Sequence, residues 1–432
     1  MNRCIRFLCG IVLVTATTLY TYDNAHFYRA TNLFFEPRID RNYLTTFDAF
    51  FQMGATSESW NKNHHKVPLF DLYGTNNMHE LGVGVPGKDL SNPLDMILTQ
   101  LSLTPSRCST STDSCKCISE FATYSIDAEF STIEGVLSII QNWKKGFFFQ
   151  LHMPFRRLKV SNIKFCDISP TDNLCPNINT PIWQTFKENF DAILTRYHLS
   201  RDCYTDTTIG DFTALIGWTH SFQQTELLDY VDTTMKVGIL IPSGDEKNED
   251  QIFSVASGYN KHIGANIQAD FSFGAFDWFT LGAHFDVTIF ADKTRCIRMK
   301  TGPEQSGIIK LAKAEAKEEE GTLWHAGTYL KADHVLRGLS LLFGYSYASK
   351  NRNYLTPCDT DKYPPSTVNT DEMLFEWKMH TIHLWLEYDF AKENSMFGPR
   401  ISFFYNRPVG GKRVFTTDMF GGNFGLDIAW DL

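Results

Sequence analysis

Residues His262–Phe290 read HIGANIQADFSFGAFDWFTLGAHFDVTIF, and this stretch decides the fold. Ile263, Ala265, Ile267, Ala269, Phe271 and Phe273 fall on one parity, and His262, Asn266, Gln268, Asp270 and Ser272 on the other. After the short turn Gly274–Asp277, Phe279, Leu281, Ala283, Phe285, Val287 and Ile289 alternate with Thr280, His284, Asp286 and Thr288. Alternation with period two marks a strand with one apolar and one polar face. Each arm runs for about 12 residues, longer than the ~5–6 of an average globular strand and enough for the ~9–11 of a tilted membrane-crossing strand. The hairpin reads as two staves of a membrane-spanning β-barrel.

Working outward, the same alternation recurs over residues 44–55, 122–130, 133–141, 146–165, 212–218, 231–241, 323–333, 339–348, 376–390, 401–405 and 424–432. The predicted fold is therefore all-β, a single transmembrane antiparallel β-barrel over residues 26–432 with about 12 strands (roughly 10–16), even-numbered as in single-chain bacterial barrels. In 376–390 the apolar parity slips, from Trp377 and Met379 to Ile382, Leu384, Leu386 and Tyr388, so a β-bulge is expected near His380–Thr381. Aromatic residues make up 14% of the 432, with 35 Phe, as expected where rings meet lipid and its interfaces. Residues 1–25 read as a secretory signal, with Arg3 and Arg6 ahead of the apolar run Phe7–Tyr20. Beyond it no run approaches the ~18 apolar residues of a membrane helix, so any span is built of strands.

Three long segments interrupt the strands. Residues 56–119 form a loop or plug-like segment, with Asn92-Pro93 capping a short helix over 94–101. Residues 166–208 carry a helix over 180–197 whose Trp183, Phe186, Phe190, Ile193 and Leu194 share a face that must dock on the barrel mouth or on 56–119. Residues 291–320 end in an Ala/Lys/Glu-rich stretch, 308–320, expected to be helical. Together with 350–370 these loops should lie outside, opposite short periplasmic turns. Cys108, Cys115, Cys117, Cys166, Cys175, Cys203, Cys296 and Cys358 all fall in or beside loops. In an oxidising compartment they are disulfide candidates.

If the Phe/Ile/Leu parity meets lipid, the opposite parity lines the lumen. The expected lumen set is Asp48, Asp127, Glu129, His152, Asp232, Lys236, His262, Asn266, Gln268, Asp270, His284, Asp286, His325, Lys331, Asp333, His383, Glu387 and Asp427. Acids outnumber bases there, which suits cations or neutral polar solutes, while charge pairing across the wall is the competing structural reading. No two of the histidines share a strand at ligand spacing, so no metal or cofactor is assigned. His220-Ser221 lacks a Gly-x-Ser-x-Gly elbow, which argues against an enzyme. A net charge of −9 argues against nucleic acid.

Two short patterns carry a resemblance. The last strand alternates up to the terminus, with Trp430 and Leu432, and resembles the closing strand of bacterial outer-membrane barrels, whose final residue is usually aromatic. Gly210-Asp211-Phe212 followed by Ile241-Pro242-Ser243-Gly244 resembles the GD…PTG pattern of outer-membrane proteins associated with phenol degradation, relatives of the long-chain fatty-acid transport channels. The resemblance implies a diffusion channel in the outer membrane with an inward-folded plug from residues 26–119. The expected function is passive passage of small solutes, with a plugged surface adhesion or structural barrel as the alternative. The expected partners are the lipid bilayer, small-molecule solutes and the barrel-insertion machinery, and the reading allows a homo-oligomer. On a detergent gel the folded chain should migrate differently before and after boiling, and identical migration with partition into the aqueous phase would contradict a barrel.

Overall fold

The quoted stretch forms two paired strands, Gly264–Ala275 and Phe279–Phe290, with Gln268 opposite Asp286 and Phe271 opposite Ala283. The computed structural model describes residues 43–103, 122–169, 181–223, 228–276, 278–336, 338–391 and 396–430. The signal segment and Cys108, Cys115, Cys117 and Cys175 lie outside these residues.

Twelve long strands build one closed sheet. They are β1 (Leu44–Thr56), β2 (Thr123–Asn142), β3 (Phe147–Asp167), β4 (Phe212–Gln223), β5 (Tyr230–Ile241), β6 (Gly264–Ala275), β7 (Phe279–Phe290), β8 (Leu323–Leu336), β9 (Leu339–Lys350), β10 (Trp377–Asp389), β11 (Phe397–Lys412) and β12 (Asp418–Ala429). Each pairs antiparallel with the next in sequence, and β1 pairs with β12 from Leu44↔Ala429 to Ala55↔Asp418, which closes the ring. The short turns, including Asn142–Phe147 and Leu336–Leu339, lie at the Leu44 and Ala429 end, and the long loops all leave from the other.

The faces are inverted relative to a water-soluble protein. Outward Ile267 and Ile289 are 54% and 52% exposed, whereas inward Gln268 and Asp286 are 3% and 1% exposed. Only lipid makes such an exterior stable, and only a closed ring satisfies the backbone inside it. Trp143, Phe147, Trp218, Phe276, Trp278, Phe390 and Trp430 stand exposed around the short-turn end, an aromatic girdle at that interface.

β2 and β3 run for 20 and 21 residues, well past the bilayer. Their projecting ends face water outside and protein inside, so the parity rule reverses: Tyr124, Ile126, Ala128 and Phe130 are buried inward, while Glu129 is exposed. Asp127 and Glu129 are therefore not lumen residues, which corrects the expectation. The two stretches expected over 122–130 and 133–141 form one strand, Thr123–Asn142, and an extra residue in β3 near Asn162 (φ 56°) shifts the register between Asp127 and Glu129. Pro154 sits where β3 exchanges its partner, from β4 through His152↔Thr213 to the short strand Tyr204–Ile209 from Phe155↔Ile209.

The projecting ends anchor an apolar cap. Leu69, Phe70, Leu72 and Met78 pack on them together with α1 (Pro93–Leu103), α2 (Pro181–Arg196), Phe253 and Ile309. Leu94 N–H donates to the cap residue Asn92 at 2.9 Å. Trp183, Phe186, Phe190, Ile193 and Leu194 of α2 are buried in this core, and Trp183 and Phe190 contact the Tyr124 ring. Buried Asp95 of α1 accepts from Tyr197 Oη at 2.8 Å and ties the helices together.

Two further expectations are corrected. Lys313–Glu319 is a strand, the middle of a three-stranded loop sheet with Lys293–Arg298 and Tyr354–Pro357. Ala314 and Ala316 turn inward between exposed Lys313, Glu315 and Lys317, so sheet pairing on both sides overrides helix propensity. Cys166, Cys203, Cys296 and Cys358 are free and exposed, not disulfide-bonded. The expected register shift does occur between His380 and Thr381. Its extra residue lies in β11, however, and β10 keeps odd residues inward throughout, with Trp377 and Met379 forming an apolar upper layer.

Gly146 closes the β2–β3 turn at φ 80°, and a Cβ there would stand 1.9 Å from the Thr219 carbonyl oxygen. Gly146→Ala should destabilise the folded barrel by about 1–3 kcal/mol, read as a lower thermal midpoint in detergent.

Candidate functional site in the barrel lumen

Reading each strand from the loop end to the turn end places the inward side chains in layers. The uppermost is an apolar ring of Leu240, Phe290, Leu323, Trp377 and Met379, joined by Trp60 and Tyr259 from the loops. The loop between β5 and β6 turns in over the mouth because buried Asp211 accepts from Gly244 N–H at 2.8 Å and Tyr259 N–H at 2.6 Å. This gives the Gly210-Asp211 motif a structural role: its carboxylate pins an inward loop.

The next layer is polar. His325 Nδ1 lies 2.9 Å from Asp286 Oδ2 and 3.2 Å from His284 Nε2. Asn266 donates to Thr288 at 2.7 Å, and Gln268 donates to Asn266. Lys236 pairs with Asp270 at 3.0 Å. On the facing wall Asn406 Oδ1 sits 2.8 Å from His383 Nδ1, and Ser346 Oγ sits 2.7 Å from His383 Nε2. An amide oxygen can only accept, so this places the His383 proton on Nδ1 and leaves Nε2 to accept from the Ser346 hydroxyl. Glu134 accepts from Arg156 and Gln52.

Below it lies a layer that period-two reading missed. Phe50, Val136, Tyr329, Leu342, Trp385 and Phe404 are buried, face inward and form one cluster. Register sets Leu342 beside Trp385, Trp385 beside Phe404, and Phe50 beside Val136. The Phe404 ring lies over Gly421 and 6.3 Å from that of Phe50. The signal for these residues was the failure of alternation: Phe50-Phe51, Leu341-Leu342-Phe343, Leu384-Trp385-Leu386 and Phe403-Phe404 are apolar on both faces. The patch covers the wall from β8 round to β2, with hydrogen-bonding groups of β5 to β8 beside it.

The lowest layer is ionic. Arg400 lies 3.2 Å from Asp48, 3.4 Å from Glu387 and 3.3 Å from Asp427. Asn423 and Thr46 donate to Asp48 and Asp427 at 2.9 Å and 2.7 Å. Lys331 pairs with Asp333 at 3.0 Å near the turn end. His152 is buried on β3, and half-buried Asp232 lies on β5. Thus Arg156, Lys236, Lys331 and Arg400 all have carboxylate partners.

His262 is not in the lumen, a further correction. It precedes β6 in the loop layer, where Nδ1 lies 2.8 Å from the Ala291 carbonyl and Nε2 3.4 Å from Glu318. Burial alone would lower its pKa, but Glu318 and Glu320 outweigh burial and raise it. His262, Glu318 and Glu320 bring their ligand atoms within 4.8 Å of one another, the only such group among the described residues. Arg295, Lys350 and Asn353 already engage the two carboxylates. The cluster therefore reads as a charge-balanced clasp between loops and not as a metal centre.

No protein-family model matches the chain, and no curated protein matches it. Among solved structures it is similar to an outer membrane channel from Pseudomonas putida F1 (11% identity over 90% of this chain and 95% of that one, TM-score 0.49). It is also similar to the translocator domain of autotransporter NalP from Neisseria meningitidis (9% identity, 91% of each, TM-score 0.33). A FadL homologue from Pseudomonas aeruginosa aligns as well (9% identity, 89% and 88%, TM-score 0.29). The chain has the fold of an outer-membrane β-barrel. An even number of antiparallel strands, short turns at one end and long loops at the other are the marks of that class.

Arg400→Met would leave Asp48, Glu387 and Asp427 facing one another without a cation. It should cost about 3–5 kcal/mol of stability, and adding Asp48→Asn should restore part of the lost thermal midpoint.

Proposed function

We propose that the barrel is an outer-membrane channel for passive passage of small solutes with both an apolar and a hydrogen-bonding face. The observation that carries this reading is the mixed lining of the lumen, an apolar cluster of Phe50, Leu342, Trp385 and Phe404 next to hydrogen-bonding groups that include Asn266, Gln268, His284 and Asp286. A solute held between them can shed water from its apolar side while exchanging hydrogen bonds on the other. Because the lumen bases are all paired, the field along the path is weaker than a count of charges suggests, and the excess of acids leaves a mild preference for cations or neutral molecules. The roles of His284, His325 and Asp286 as solute contacts, delivery by the insertion machinery and any self-association belong to the same proposal.

One observation favours a second reading. The cap core and the loop pinned by Asp211 lie across the mouth, as in a surface barrel whose external face does the work and whose lumen stays shut.

Planar-bilayer recording separates the two. The channel reading expects discrete conductance steps from the wild-type protein and larger ones from Trp385→Ala, which widens the apolar layer. Membranes that stay sealed with both proteins would remove the channel reading and leave the surface barrel.

A further inference from the structure

The external loops enclose a second cavity, of about 50 Å³, bounded by the loop sheet, the β5–β6 loop and the segment before β10. Its lining is unbalanced in charge. Lys247, Arg295, Arg298 and Lys300 border it against the carboxylates Glu249, Glu318 and Asp371. The buried ammonium of Lys310 stands behind Asp371, Nζ to Oδ2 3.5 Å.

The three carboxylates are already engaged. Glu318 accepts from Arg295 and Asn353, Glu249 accepts from Arg295 and the backbone of Arg298, and Asp371 holds Lys310 and the Met373 N–H. Arg298 is consumed by loop carbonyls, including those of Tyr197, His198 and Leu311. Lys300 is left over. Its side chain is only 7% exposed and makes no hydrogen bond or ion pair among the described residues. Burial lowers the pKa of Lys310, opposed by Asp371 and aided by the nearby charges of Lys300 and Lys247. Lys300 thus borders the cavity as a largely buried side chain without a carboxylate partner, and an anion bound there would supply one. The remaining wall is mainly apolar, from Ile297, Met299, Leu355, Val368 and Leu374, with the amides of Asn260 and Asn353 beside them.

We infer that this cavity is a binding site for a small organic carboxylate, its anionic head on the Lys300 ammonium and its short apolar body against Ile297, Met299 and Leu355. One unpaired ammonium beside an apolar wall matches a monoanion with a hydrocarbon body better than a multiply charged, fully hydrated phosphate. The inference goes beyond passage through the lumen and stands whether or not the barrel conducts, because the site lies in the loop layer and is read by binding alone.

The test is isothermal titration of the folded full-length protein in zwitterionic detergent with butyrate, and separately with inorganic phosphate. Wild-type protein should bind butyrate saturably with one site per chain. Lys300→Met should weaken binding about tenfold or more, and Lys300→Arg should retain it. Heat-modifiable migration checks that each variant is folded. Should Lys300→Met fail to fold, the wild-type thermal midpoint still decides, since it should rise with butyrate. No saturable butyrate binding, equal binding by folded Lys300→Met, or preference for phosphate over butyrate would each overturn the assignment.

Discussion

Every feature of this chain follows from one constraint: inside lipid, each backbone N–H and C=O must find its partner within the protein. A meander of twelve strands meets it only when the last pairs with the first, and the β1–β12 register, unbroken from Leu44↔Ala429 to Ala55↔Asp418, provides that closure. Closure gives every strand an inside and an outside, so period-two side chains sort into a lipid face and a lumen face. The long connections all leave from the end opposite Leu44 and Ala429.

The same constraint explains where the pattern reverses. Lipid demands apolar residues outside only over the thickness of the bilayer. β2 and β3 continue beyond it, and there water returns to the outer face while the inner face gains a protein core. Ile126, Ala128 and Phe130 thus lie on the same side of β2 as Glu134 and Ser138, yet serve a packed cap instead of a wet wall. The cap needs this scaffold: α1 and α2 have no sheet of their own, and the face of α2 carrying Trp183 and Phe186 is buried only because the extended strands reach up to it.

The barrel was legible from parity, and the sequence also carried the strand number, the helix cap at Asn92 and the place of the register shift. What failed did so for identifiable reasons. Asp127 and Glu129 were misplaced because parity does not record where the membrane ends. Lys313–Glu319 read as helix because Ala, Lys and Glu favour one locally, while the pairing partners that overrule them come from distant Lys293–Arg298 and Tyr354–Pro357. Cys166, Cys203, Cys296 and Cys358 were counted as bridge candidates from their compartment, but spacing in sequence carries no geometry. The apolar lumen layer was hidden by its own signal, since a stave with both faces apolar looks like noise to a reader seeking alternation.

The inner wall also shows how rings can line a barrel without filling it. A Cβ on Gly217 would stand 2.2 Å from the Phe148 ring, one on Gly274 1.9 Å from that of Tyr230, and one on Gly282 2.1 Å from that of Tyr329. Phe404 lies over Gly421 in the same way, at 2.8 Å. In each case a ring occupies the space beside a glycine on the neighbouring strand, a position that any side chain there would deny it. Were these glycines alanines, the rings would have to rise toward the barrel axis and the layer would become a stopper. The glycines give these rings room beside the wall, and the polar groups of β6 and β7 share the same lumen, which makes its lining mixed.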